Sequence, residues 1–421
     1  MNPRLTIKIK KRSQPGWLCW LIIVLPFLFG TINDLLGLPW SIRYVLDVAW
    51  FALLLMMIAF RDRLIWNHVR SLVVWTVAFL LCTALAYLVQ YQSGLYYLWG
   101  MRNNFRVYVA FFACAAFLSR QDVRDYFRLF DKLFWINVVV SLAQFFVFEK
   151  AGDYLGGIFG VSAGSNGYTN MFFCVMLTKS VVFYLNKQAN LSDCVWKFIA
   201  AMVIAALAEL KFFFVEAVLI IALAVLFTNF NWRNVLIIAG GIVGIVAGAA
   251  LLVKIFPSFE GFFSLEWMWE NAIADKGYTS SGDMNRLNAI AVINDRFLRG
   301  SGAQLFGLGL GNCETSTFSF LNTPFFEEYG HLHYSWMSHA FLYLECGWIG
   351  LIFFYGFFAI LYRKTQKMER TCDATAKAYC IMTRILLILC VLISVYNSTL
   401  RTEAGYMMFF ALAAPISMNK R

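Results

Sequence analysis

Apolar residues along this chain come in long runs, separated by short polar stretches that hold most of the charges. The runs reach the ~17–25 residues needed to cross a hydrocarbon core about 30 Å thick. They predict about twelve helical spans, near 16–31, 41–60, 71–91, 101–119, 132–148, 168–186, 196–208, 212–230, 234–253, 336–361, 379–397 and 405–418. The seventh run is short: FIAAMVIAALA stops at Glu209-Leu210-Lys211 and resumes as FFFVEAVLIIALAVLF. A charged pair at that depth requires a hydrated cavity or a protein partner, so a tight helical hairpin facing such a cavity is expected. Between the ninth and tenth runs lie about eighty residues, 254–335, the longest polar interruption. Their middle is expected to be helical, with Ser281 and Asp283 as candidate caps. At about 100° per residue, Arg286, Ile290, Ile293 and Phe297 share a buried stripe, while Asn288, Asp295, Arg296 and Arg299 lie on the other face.

Composition agrees with the pattern. Of 421 residues, 61% are hydrophobic and 14% charged, against about 45–50% and about 25% in soluble domains. The chain therefore reads as an all-α polytopic membrane protein. It is one transmembrane domain over 1–421, with the segment 254–335 as a large extracytoplasmic helical loop. No internal repeat, low-complexity tract or soluble domain interrupts it. The net charge of +11 is explained by the positive-inside rule rather than by nucleic acid. With the N-terminus inside, Arg61, Arg63, Arg70, Arg120, Arg124, Arg128, Arg363, Lys364, Lys367, Arg370, Lys377, Lys420 and Arg421 all fall on cytoplasmic segments. Both termini are then cytoplasmic. The basic run Arg4–Arg12 resembles a signal n-region, but no small-residue cleavage site follows Trp17–Gly30, so it reads as a tail before the first span. The ten cysteines show no pairing pattern, and Cys313 stands without a partner in the large outer segment.

The positive-inside rule makes outward-facing cations informative. Arg43, Arg102, Arg106, Lys211, Arg286 and Arg401 lie near the outer boundary. Each has an ordinary explanation: Arg43 can snorkel, Arg106 can pair with an acidic loop residue, and Arg401 stands beside Glu403. Several cations at one depth repel each other unless an anion occupies the site, and a lipid diphosphate suits such a pocket. His331, His333 and His339 cluster in the same part of the chain. His331-Leu332-His333 is a weak metal signal with no completing ligand pair, so no metal is expected. A neutral histidine there could serve as general base toward a sugar hydroxyl. The stretch Phe306–Asn312, FGLGLGN, follows no β–α unit and carries no P-loop lysine. Its glycines are expected to make a tight turn or a close backbone approach. A second polar outer segment, 149–170, could line a carbohydrate path with Tyr154 and Tyr168.

In their order along the chain these features resemble the bacterial O-antigen ligase and Wzy-type polysaccharide polymerase superfamily. The resemblance rests on Gly157-Ile158-Phe159-Gly160 with Asn166 or Asn170, then the hairpin turn Glu209-Leu210-Lys211. Asn285-Arg286, the turn Phe306-Gly-Leu-Gly-Leu-Gly311 and Leu344-Glu345-Cys346-Gly347-Trp-Ile-Gly350 complete it. It implies a GT-C-like, O-antigen-ligase-like fold in the bacterial cytoplasmic membrane, with an extracytoplasmic active site. It further implies metal-independent, cofactor-free inverting transfer from an undecaprenyl-diphosphate-linked oligosaccharide. The product is a surface polysaccharide (capsule, O-antigen or exopolysaccharide), and partner proteins for flipping and chain-length control would accompany the enzyme. By this resemblance Arg286, Lys211, Arg102 and Arg401 hold the diphosphate. His333 or His339 is the base, with Glu327 or Glu328 as substitutes. Ligases place a His-Asn pair about nine residues before the glutamate, where this chain has Trp336, and many members carry arginine at the hairpin turn. Both departures favour polymerase over ligase.

Two other classes compete. The intramembrane charges Lys179, Glu216 and Arg384 suit a transporter, and a flippase would bind the same diphosphate, but no inverted repeat is present. A multispan acyltransferase would need a histidine facing the cytoplasm, where only His68 is expected.

Overall fold

A computed structural model describes residues 13–60, 66–90, 93–228, 240–241, 254, 277–279 and 282–420. Most of the predicted ninth span 234–253, residues 255–276 and 280 of the predicted external segment, Ser281, the basic tail 1–12, Arg61, Arg63, Arg421 and the His68 side chain lie outside the described residues.

Helices stand at the other predicted spans. In chain order they are α1 (Gln14–Val24), α2 (Pro26–Leu36), α3 (Val45–Ala59), α4 (Trp66–Gln90), α5 (Gly94–Phe117), α6 (Arg120–Phe146), α7 (Ser165–Leu185), α8 (Leu191–Leu207) and α9 (Lys211–Phe227). Three short helices follow, α10 (Ala289–Arg296), α11 (Ser301–Phe306) and α12 (Pro324–Tyr329). The bundle closes with α13 (Ser338–Glu369), α14 (Ala374–Tyr396) and α15 (Ala404–Met418). Among the described residues, six helices are long and apolar enough to cross a membrane by themselves. A seventh candidate is the pair α1–α2, bent by 53° where Pro26 removes a backbone donor and starts a new helix.

Local chemistry explains the element ends. Ser119 and Asp122 form a reciprocal capping box at the start of α6, and the Asp373 carboxylate accepts from the Ala376 amide at the start of α14. At the hairpin, α8 ends at Leu207, Glu209 adopts a left-handed conformation (φ +53°), and α9 restarts at Lys211. Helix α13 is broken at Gly347 (φ +58°, ψ −156°).

The layers follow from burial. Every residue of α15 is buried, wrapped by α5, α14, α7 and α6. Helices α3 and α4 lie outside. Val48, Phe51, Leu55 and Ile58 of α3, and Val74, Val77, Leu81, Leu85 and Leu88 of α4, are all exposed. Three- and four-residue steps put each set in one apolar stripe down a helix. Stripes of that length are not tolerated against water and identify the lipid-facing surface of a membrane protein.

The charges buried in the bundle have partners. Lys179 and Lys197 share Asp131, Arg384 donates to Glu369 at 2.6 Å and to the Tyr362 hydroxyl at 3.1 Å, and the Cys174 thiol donates to Glu216 at 3.3 Å.

Candidate functional site

The glycine-rich turn is a structural lock. Gly307 and Gly347 press backbone on backbone: a Cβ on Gly307 would lie 2.4 Å from the Glu345 carbonyl carbon, and one on Gly347 would lie 2.4 Å from the Gln304 carbonyl oxygen. The amides of Leu308 and Gly309 then donate to the carbonyls of Leu344 and Glu345 at 2.8 and 2.9 Å. The Glu345 carboxylate accepts from the Cys313 amide at 3.1 Å. Two of the sequence motifs are thus the halves of one joint, which fastens the 282–335 part of the chain to the break in α13.

Apart from Arg43, the cations expected at the outer boundary divide into two groups. In the first, Arg102 donates twice to Asp47, at 2.9 and 2.7 Å, with Trp99 and Tyr44 under its guanidinium. Arg106 donates to Glu403 at 2.9 Å and to the Arg401 carbonyl at 2.5 Å. Arg401 does not pair with its sequence neighbour Glu403. It reaches Glu314 at 2.7 Å and lies 3.5 Å from the centre of the Phe341 ring. The expectation that these arginines need an outside anion is therefore corrected: Asp47, Glu403 and Glu314 neutralise three of them. Burial alone would raise the Glu403 carboxyl, but Arg106, then Arg43 and Arg102, outweigh it and hold it at about 2.

The second group contains Lys211 and Arg286. Lys211 opens α9, and Arg286 comes from the long polar segment, 75 residues later. The two act on each other electrostatically, with Glu209 opposing. Arg286 Nε donates to the Tyr396 carbonyl at 3.0 Å, and its guanidinium lies 4.9 Å from the Tyr396 ring centre. Phe212 stacks on the same ring, 4.7 Å between centroids. Tyr396, the last residue of α14, is thus the platform on which the two segments meet. Arg286 has no carboxylate within 4 Å among the described residues.

The helical-face expectation for Arg286 is corrected in part. Helix α10 begins only at Ala289, so Arg286 sits in the preceding turn and is half-buried. The buried residues of α10 are Ala289 and Ile293; Arg296 and Arg299 are exposed, as the pattern predicts.

The histidines separate by role. His339 is buried at the start of α13, with its ring Nδ1 3.2 Å from the Ser394 carbonyl and the ring close to the Arg286 carbonyl. It ties Arg286 to α14. His333, with φ +53°, places Nδ1 2.5 Å from Asp283 Oδ1 and stacks on Trp336 at 3.8 Å. Because the carboxylate accepts, Nδ1 carries a proton, which in the neutral ring leaves the lone pair on Nε2. The Met284 amide donates to the Leu332 carbonyl at 2.9 Å, which joins this dyad to the strand of chain leading into Arg286. Asp283 is a partner that sequence spacing does not reveal. His331, Glu327 and Glu328 are exposed.

The 149–170 segment packs on the same end of the bundle. Asn166 donates to Asp153 at 2.9 Å and to the Ala208 carbonyl of the hairpin at 3.0 Å. Gln144 brackets Gly157 through both amide atoms, at 2.8 and 2.7 Å. Tyr168 donates to Glu403 at 3.2 Å, and Tyr154 is exposed. Compared with known proteins, the chain matches no family model and no curated sequence.

Proposed function

We propose that this membrane protein polymerises undecaprenyl-diphosphate-linked oligosaccharide repeat units into a surface polysaccharide, on the outer face of the bacterial cytoplasmic membrane. The observation that carries the reading is Arg286 seated on Tyr396, the ring on which Phe212, next to Lys211, also stacks, with the His333–Asp283 dyad on the adjoining chain. Two cations from distant segments, one of them with no carboxylate within 4 Å among the described residues, make a preorganised site for a departing diphosphate. Arg102 and Arg401, already bound to carboxylates, stand outside this pair.

In the proposed step the acceptor hydroxyl oxygen attacks the anomeric carbon of the donor sugar from the face opposite the diphosphate. The C1–O bond to phosphate breaks and its electron pair leaves with the diphosphate, which Lys211 and Arg286 stabilise. The hydroxyl proton passes to His333 Nε2, while Asp283 holds the ring in the accepting tautomer. The anomeric configuration inverts, and the balance requires no metal.

Arg286→Gln and Lys211→Gln test the proposal in the source cells. Each should reduce polymer about 10²–10³-fold, the usual loss of one charge-stabilising donor. Single repeat units should accumulate on the lipid at the outer face. Accumulation at the inner face would identify a flippase instead, and unchanged polymer would remove both residues from the mechanism.

A further inference from the structure

A cavity of about 270 Å³ opens against elements that the proposed reaction does not use: α2, the turn at Trp40–Tyr44, the 159–165 loop and Glu403. Its charged lining consists of Arg43 and Glu403. Glu403 is engaged by Arg106 and by the Tyr168 hydroxyl. Arg43 acts on Glu403 only from beyond ion-pair distance and also contacts the Tyr44 hydroxyl; among the described residues no carboxylate lies within 4 Å of it, and its Nε is buried with no hydrogen-bond partner. A buried donor left unpaired is costly, so Arg43 keeps capacity for a further acceptor, preferably an anionic one.

The remaining walls narrow the ligand. Phe159 and Tyr168 line it, 5.8 Å apart between ring centroids, an apolar surface of the kind sugar rings stack on. Ser162 and Ser165 add hydroxyls. The 162–165 loop leads through left-handed Gly164 into α7, a 21-residue helix with no side-chain cap, whose N-terminus favours negative charge. The volume falls just under the ~300 Å³ lower end of drug-sized pockets, room for roughly one sugar ring with a substituent. A bare phosphate would leave the aromatic wall and most of the space unused. A single guanidinium matches a carboxylate with two parallel donors.

We propose that this cavity binds a carboxylate-bearing sugar residue, a uronic acid, of the acceptor glycan. The carboxylate lies on Arg43, the ring against Phe159 and Tyr168, and the hydroxyls meet Ser162, Ser165 and Glu403. The word acceptor rests on the polymerase reading; the binding site itself does not.

The test is calorimetric titration of the purified full chain in detergent with methyl glucuronoside, methyl glucoside and inorganic phosphate. The glucuronoside is expected to bind at least ten-fold more tightly than the glucoside, with phosphate competing poorly. Arg43→Gln should abolish that preference, while Lys211→Gln and Arg286→Gln leave it intact. Equal affinity for the two glycosides, binding of neither, or phosphate competing as well as the glucuronoside would overturn the proposal. The first comparison uses the unaltered protein, so a folding defect in a variant cannot obscure it. Preserved glucuronoside binding in a protein that fails to polymerise would reject the polymerase reading and leave the sugar site standing.

Discussion

Replacing Glu403 by glutamine removes the carboxylate that Arg106 pairs with in the interior. The Arg106 side chain is 5% exposed and that of Glu403 10%, and their atoms stand 2.9 Å apart. Two routes give the size of the effect. The carboxyl sits at about 2 against an ordinary 4.5, a difference worth about 3 kcal/mol. Breaking a buried pair by removing one partner costs about 3–5 kcal/mol, because the survivor is left charged and unpaired. Since folding depresses this pKa, the contribution is complete above about 4.5 and is lost as the pH falls through about 2. Unfolding by SDS in mixed micelles should therefore show Glu403→Gln about 3 kcal/mol less stable than the parent at pH 7, with the gap closing between pH 4.5 and 2. The double variant Arg106→Met/Glu403→Met should be less damaged than either single one, since an apolar pair leaves no buried charge. A loss below about 1 kcal/mol, or a gap that does not change with pH, would refute the reasoning.

Three further outcomes are expected. Gly347→Ala forces a side chain into φ +58°, ψ −156° and onto the Gln304 carbonyl; it should cost about 3 kcal/mol or more, read as a lower melting temperature in detergent. His333→Asn and Asp283→Asn should each slow reconstituted polymerisation by about 10²-fold without changing stability. Their combination should cost little more than either alone, as for groups that act as one unit; full additivity would argue for separate roles. His339→Phe should lower the maximal rate about ten-fold by loosening Arg286, which bonds at Tyr396 on the same stretch of α14 that His339 holds; an unchanged rate would deny it that positioning role.

The helices were legible because an apolar backbone in lipid must satisfy its own hydrogen bonds, and long apolar runs leave few alternatives to a helix. The hairpin at Glu209–Lys211 was legible for the same reason, since a charged pair marks the point where apolar sequence stops. The pairing of charges was not. Arg102 finds Asp47 from 55 positions away and Arg401 finds Glu314 from 87 positions away, while Glu403, two positions on, goes to Arg106. Sequence separation carries no information about which helix ends meet. The same holds for His333 and Asp283, 50 positions apart. The glycine turn was legible as a close approach, but its counterpart at Gly347 was not, because backbone-to-backbone contact leaves no side-chain signature. Extending the α10 period backward puts Arg286 on a helical stripe, across a turn that the periodicity does not register.

The most direct measurement is chain growth by the purified protein, reconstituted in lipid vesicles with an undecaprenyl-diphosphate-linked oligosaccharide and excess EDTA. A ladder of products one repeat apart is expected, inverted at the new anomeric centre, and lost in Arg286→Gln while that variant remains folded. Growth that requires a divalent cation, retention of configuration, or movement of the lipid across the bilayer with no growth would contradict the proposed reaction.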